Sequence, residues 1–183
     1  EAARQEILSL TGWDLAGAIP EHNGIRRRDQ SGGGTGRIFC SWHKTGRAVD
    51  LDQGVHFLRY PEGRQFRLHR PATDESAGVT AASLTERMGE PSHTRSRWTR
   101  RPDMGFVDVT EILLKHGFTR ISRHGDGTPE WWHYEMRGGV NWYQALLQVH
   151  DLEYIQACLR SSIAAGDVNE SKLSEAGVPT GDL

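Results

Sequence analysis

The chain has 183 residues, 36% hydrophobic and 25% charged, with a formal net charge of −2. That length bounds one domain, read as residues 1–166, followed by a polar C-terminal tail or linker over 167–183. The near-neutral balance argues against a polyanion binder, so no nucleic acid is expected as a partner, and no apolar run approaches the ~18–20 residues that span a membrane.

The chain begins at Glu1 without Met or a signal peptide and reads as a trimmed or mature fragment. Ala2–Leu10 reads as a short amphipathic helix with Ile7, Leu8 and Leu10 apolar. Residues 20–37 are polar and glycine-rich, hence loop. Strands are expected at Arg47–Leu51, Val55–Tyr60 and Gln65–Arg70, the last two forming a hairpin around Pro61-Glu62-Gly63. Ala81–Met88 reads as a helix ended by Gly89, and 90–105 as irregular. Asp108-Val109-Thr110-Glu111 has capping-box form for a helix Val109–His116, which Gly117 closes. Phe118–Ser122 and Trp131–Met136 read as strands. Asn141 caps a long helix, Trp142–Ala165, with a break near Asp151 and an end at Gly166. Strands flanked by helices, with several hairpins, predict an α+β fold with a small antiparallel sheet.

Two segments carry chemistry. The first is Ser41-Trp42-His43-Lys44-Thr45-Gly46-Arg47-Ala48-Val49-Asp50, the second Glu130-Trp131-Trp132-His133. His43, Asp50 and His133 are good Zn2+ ligands. Two imidazoles, one carboxylate and an open fourth position suit a catalytic rather than a structural ion. Glu130 is placed to serve as a base. On one α-helix His43 and Asp50 would stand about 10 Å apart along the axis, at ~1.5 Å per residue, too far to share an ion. The chain must bend between them, and Gly46 permits it. Ala48–Leu51 then reads as a buried strand carrying Asp50. A tight turn puts Glu130 and His133 on one side, whereas a regular strand would separate them. Glu130 is therefore expected just before the strand that holds His133.

These motifs resemble those of the zinc D-alanyl-D-alanine metallopeptidases, which include vancomycin-resistance dipeptidases and carboxypeptidases. The family pattern Ser-x-His-x-x-Gly-x-Ala-x-Asp, then Glu-x-x-His, is matched at Ser41, His43, Gly46, Ala48, Asp50, Glu130 and His133. The Trp131-Trp132 pair is similar to the dipeptidase branch. An upstream Gly-Tyr-Arg-Ser-x-x-Gln pattern is matched in part by Gly24-Ile25-Arg26-Arg27-Arg28-Asp29-Gln30, without its tyrosine and serine. The resemblance spans roughly residues 24–136. It implies a hedgehog-like fold with zinc at the sheet and hydrolysis of a peptidoglycan stem-peptide bond. D-Ala-D-Ala carboxypeptidase leads, ahead of the dipeptidase and the endopeptidase. It also implies Arg26, or else Arg27 or Arg28, pairing with a substrate carboxylate, with Ser41 and Trp132 beside the substrate. The expected protein is a monomer in the periplasm or outside the cell.

Other readings of single residues stay beside this one. Asp52 shares a strand face with Asp50. Glu135 has the chemistry to orient His133, and His124 reads as ordinary surface. Among Trp42, Trp131 and Trp132 at least one packs beneath the site. Cys40 reads as a small buried residue, and a Cys40–Cys158 disulfide is open. The run Arg95–Arg101 reads as a solvated loop. A zinc-containing module that binds cell wall or protein without catalysis, as hedgehog domains bind protein, is the alternative of a different class.

Overall fold

The computed structural model describes residues 1–15, 42–51, 57–92, 101–120, 130–164, 166, 168–179 and 181. It is an α+β arrangement with two small sheets where the sequence suggests one. By contact density the chain falls into two units, one from residues 1–20 and 50–134, the other from 21–49 and 135–183.

In the first unit, α1 (Ala2–Thr11) ends at Gly12, whose N–H returns to the Leu8 carbonyl. A four-stranded sheet follows in the order β2 (Leu58–Glu62), β3 (Gln65–Pro71), β5 (Gly105–Asp108), β4 (Val79–Thr80), each neighbour antiparallel. The hairpin is tighter than the sequence suggests. Pro61 and Glu62 remain in β2, paired with Phe66 and Gln65, and Gly63-Arg64 alone make the turn. Pro61 is tolerated because β2 is an edge strand, where a missing N–H breaks no ladder. Alternate residues Leu58 and Tyr60 face inward, onto Leu84 of α2 (Ala81–Met88), Met104 and Phe106.

Helix starts follow their caps. The Thr80 hydroxyl accepts from Ser83 N–H at the head of α2, and Asp108 Oδ1 accepts from Glu111 N–H at 2.8 Å at the head of α3 (Val109–Lys115). Satisfying such an end group contributes about 1 kcal/mol.

In the second unit Asn141 and Gln144 form a reciprocal capping box on α4 (Trp142–Leu147). The break near Asp151 has a cause: Asp151 Oδ1 accepts from Tyr154 N–H at 2.7 Å, which starts α5 (Leu152–Ala164) afresh. The segment read as a polar tail instead carries α6 (Glu170–Glu175), capped by Asn169. Val168, Leu173, Ala176 and Val178 are buried in one cluster with Trp42, Trp142, Leu146, Ile155 and Leu159. Four apolar side chains spaced through a polar stretch are enough to seat it.

The smaller sheet has the order β1 (Ala48–Asp50), β7 (His133–Glu135), β6 (Thr119–Arg120). Leu51 N–H bonds the Trp132 carbonyl at 2.8 Å, and Met136 N–H bonds the Arg47 carbonyl at 2.7 Å. The partner's number falls as the first rises, so β1 and β7 run antiparallel. That register sets Asp50 opposite His133.

Candidate metal centre

The first motif folds as the spacing demands. Trp42–Thr45 is a single 3-10 turn with all four side chains buried. Thr45 Oγ1 donates to the Trp42 carbonyl at 2.7 Å, and Gly46 N–H closes on the His43 carbonyl at 3.2 Å. Gly46 has φ +68°, the left-handed conformation that reverses the chain into β1. His150 Nε2 sits 2.8 Å from the Lys44 carbonyl, pinning the turn within its unit.

The second motif is also a turn. His133 N–H reaches the Glu130 carbonyl at 3.3 Å, so Glu130 lies directly before the reversal that leads into β7. The strand is shorter than expected, three residues instead of six, because Trp131 and Trp132 belong to the turn. Glu130 is half-buried.

The ladder then brings the ligands together. Asp50 and His133 form the pair of an antiparallel ladder that shares no backbone hydrogen bonds, whose side chains stand closer than those of the flanking pairs. His133 Nδ1 lies 2.8 Å from Asp50 Oδ1. One ligand atom from each of His43, Asp50 and His133 lies within 4.8 Å of the others. All three side chains are buried, at 3%, 8% and 8% exposure. Two imidazoles and a carboxylate, buried together, fit a divalent ion such as zinc. An ion so enclosed offsets the cost of keeping the carboxylate from water. The donor set by itself does not select zinc over its neighbours.

β7 is committed on both faces. Tyr134 points opposite to His133, is fully buried, and shares a 2.9 Å hydrogen bond with Thr110 Oγ1. Thr110 Oγ1 also accepts from Leu68 N–H at 2.9 Å. Burial pushes the Tyr134 phenol up to about 12, partly opposed by its bond to Thr110. Glu135 is buried and takes Arg137 Nε at 2.8 Å. The partner at His133 Nδ1 is Asp50 Oδ1.

The tryptophans divide. Trp42 packs in the core cluster of its unit, with Arg137 5.3 Å over its ring. Trp131 and Trp132 are half-buried and meet edge to face at 5.5 Å. Phe57 abuts Trp131 at 6.0 Å, and the Arg59 guanidinium lies 4.4 Å over the Trp131 ring. Arg59, Thr110 and Tyr134 carry no motif, so reasoning from the sequence passes over them. Arg26, Arg27, Arg28, Ser41, Cys40, Asp52 and His124 lie outside the described residues, as does most of Arg95–Arg101.

Compared with known proteins, the chain matches no family model, no curated protein and no solved structure.

Proposed function

We propose that this chain is a zinc-dependent peptidase that hydrolyses peptidoglycan stem-peptide bonds, with D-Ala-D-Ala carboxypeptidase as its leading mode. One observation carries the reading. Two motifs converge, with Asp50 and His133 eighty-three residues apart in the chain, so that His43, Asp50 and His133 can share an ion, with Glu130 on the turn three residues before His133. The α+β arrangement is compatible with a hedgehog-like fold.

Zinc held by His43, Asp50 and His133 would supply a Lewis acid that polarises a peptide carbonyl and lowers the pKa of water. The protein supplies the rest. The two strands fix Asp50 and His133 before substrate arrives, so little reorganisation is needed. Glu130 takes a proton from the attacking water and passes it to the departing amine, serving as base and then as acid. Trp132 walls the cleft, and Arg26 and Ser41 hold the substrate. The protein acts as a monomer, in the periplasm or outside the cell.

The test is bound zinc together with D-alanine release, from D-Ala-D-Ala and from a pentapeptide with that terminus. Wild type is expected to carry one zinc and to release D-alanine from the pentapeptide. Glu130→Ala keeps the zinc and loses activity by about 10²–10⁴-fold, the usual worth of a positioned acid–base. Release from the free dipeptide alone identifies the dipeptidase. Zinc with no release from either, and no internal cleavage, identifies a binding module. Absence of zinc refutes the ligand assignment.

A further inference from the structure

We propose that Arg59 forms a carboxylate-recognition subsite beside this centre, an inference that rests on the peptidase reading for its substrate class.

Three observations converge. First, among the described residues Arg59 has no carboxylate partner. Arg67, Arg101 and Arg120 of the same unit are each paired with Glu or Asp. Among the described residues nothing bonds the Arg59 guanidinium, and burial alone lowers its pKa. A half-buried guanidinium without an anion has lost hydration with no ionic return, which favours an arriving anion.

Second, Arg59 is held in place. It alternates with Leu58 and Tyr60 on β2, whose side chains face the core, so Arg59 and Phe57 share the opposite face. Both contact Trp131. The strand is tied through the Arg59 carbonyl, which accepts from Ser92 N–H at 2.8 Å. The guanidinium carbon stands 4.4 Å over the ring centroid, which holds the group against the indole and leaves its N–H donors to an arriving acceptor.

Third, the aromatic support is part of the catalytic turn. Trp131 directly follows Glu130 and precedes His133 by two residues. A group stacked on that ring lies beside the turn that carries base and ligand. A single planar fork suits one carboxylate better than a phosphate, which usually gathers several cations. A stem peptide offers that group in two places, its C-terminus and its side chains.

The experiment titrates zinc-loaded Glu130→Gln protein, with and without Arg59→Gln, by calorimetry. Three peptides ending in D-Ala-D-Ala are used: the free acid, its C-terminal amide, and the free acid with the side-chain carboxylate converted to amide. Circular dichroism and zinc content confirm that each variant is folded. Arg59→Gln is expected to weaken the free acid on the order of 10–100-fold, the worth of a charge-assisted pair, and to leave unchanged the peptide lacking the recognised carboxylate. Which peptide is insensitive names the source. Arg59→Lys keeps the charge but not the fork and falls between. Equal loss, or no loss, for all three peptides overturns the subsite, as does failure of wild type to bind any of them. Hydrolysis by wild type separates the two ideas. Turnover with an Arg59→Gln KM equal to wild type removes the subsite and keeps the peptidase. Arg59-dependent binding without turnover does the reverse.

Discussion

Thr110→Val asks how β7 is anchored behind the metal centre. Valine has nearly the same shape, so packing is kept and only hydrogen bonding changes. Thr110, Leu68 and Tyr134 are each fully buried. The substitution strands the Leu68 N–H and leaves the Tyr134 hydroxyl without its partner, both of them 2.9 Å from Thr110 Oγ1. Each stranded buried group costs about 1–3 kcal/mol, so the expected loss is about 4 kcal/mol. Tyr134→Phe alone leaves Thr110 still accepting from Leu68 and costs about 1 kcal/mol. The double variant strands only the Leu68 N–H. It should therefore be more stable than Thr110→Val by about 1–3 kcal/mol, an inversion that simple loss of contacts cannot give. Urea titration with an unchanged slope measures all four corners of the cycle. A double variant no more stable than Thr110→Val would falsify the buried chain of bonds.

Two pH effects follow from burial. The Tyr134 phenol is raised to about 12 in the folded chain, so its stabilisation is whole below the unfolded value of about 10 and is lost as pH rises to 12. At about 1.36 kcal/mol per unit, and with the folded phenol half ionised at pH 12, wild type should lose about 2 kcal/mol more than Tyr134→Phe between pH 9 and 12 in alkaline urea titrations; parallel curves would refute the assignment. His69 is shifted the opposite way, its pKa lowered chiefly by burial against the pull of Asp108. Its contribution is present above about pH 6.5 and fades as pH falls below that value, because the unfolded imidazole takes up a proton first. His69→Phe keeps a ring against Tyr60 and should flatten the acid limb of thermal stability between pH 6.5 and 5; an unchanged limb assigns the acid sensitivity elsewhere.

The residues that could hold a metal ion are readable in the sequence because their chemistry is local. A histidine and an aspartate seven residues apart can share an ion only through a bend, and Gly46 stands where the bend must be. Helices α3 and α4 are readable for a similar reason, since Asp108 and Asn141 declare their starts. What escapes reading is set by distant partners. Arg59 meets Trp131 across seventy-two residues of chain, and Thr110 meets Tyr134 across twenty-four. Helix α6 sits between the two cases. Asn169, with Leu173 and Ala176 a turn apart, gives a usable signal, but it is weak until the rest of the cluster covers it.

The two-sided commitment of β7 bears on how the chain finds its strand register. Side chains alternate with a period of two, so a slip of one residue would turn every side chain of β7 over. Tyr134 would enter the ligand cluster, and His133 would enter the apolar space beside Thr110. The mispaired strand would keep its backbone bonds, and a short ladder with no bulge does little by itself to forbid it. A metal ion discriminates where the backbone does not, because a phenol cannot replace the imidazole at equal cost. Divalent ion present during refolding would then act as a proofreader of strand alignment, drawing slipped chains into the native register.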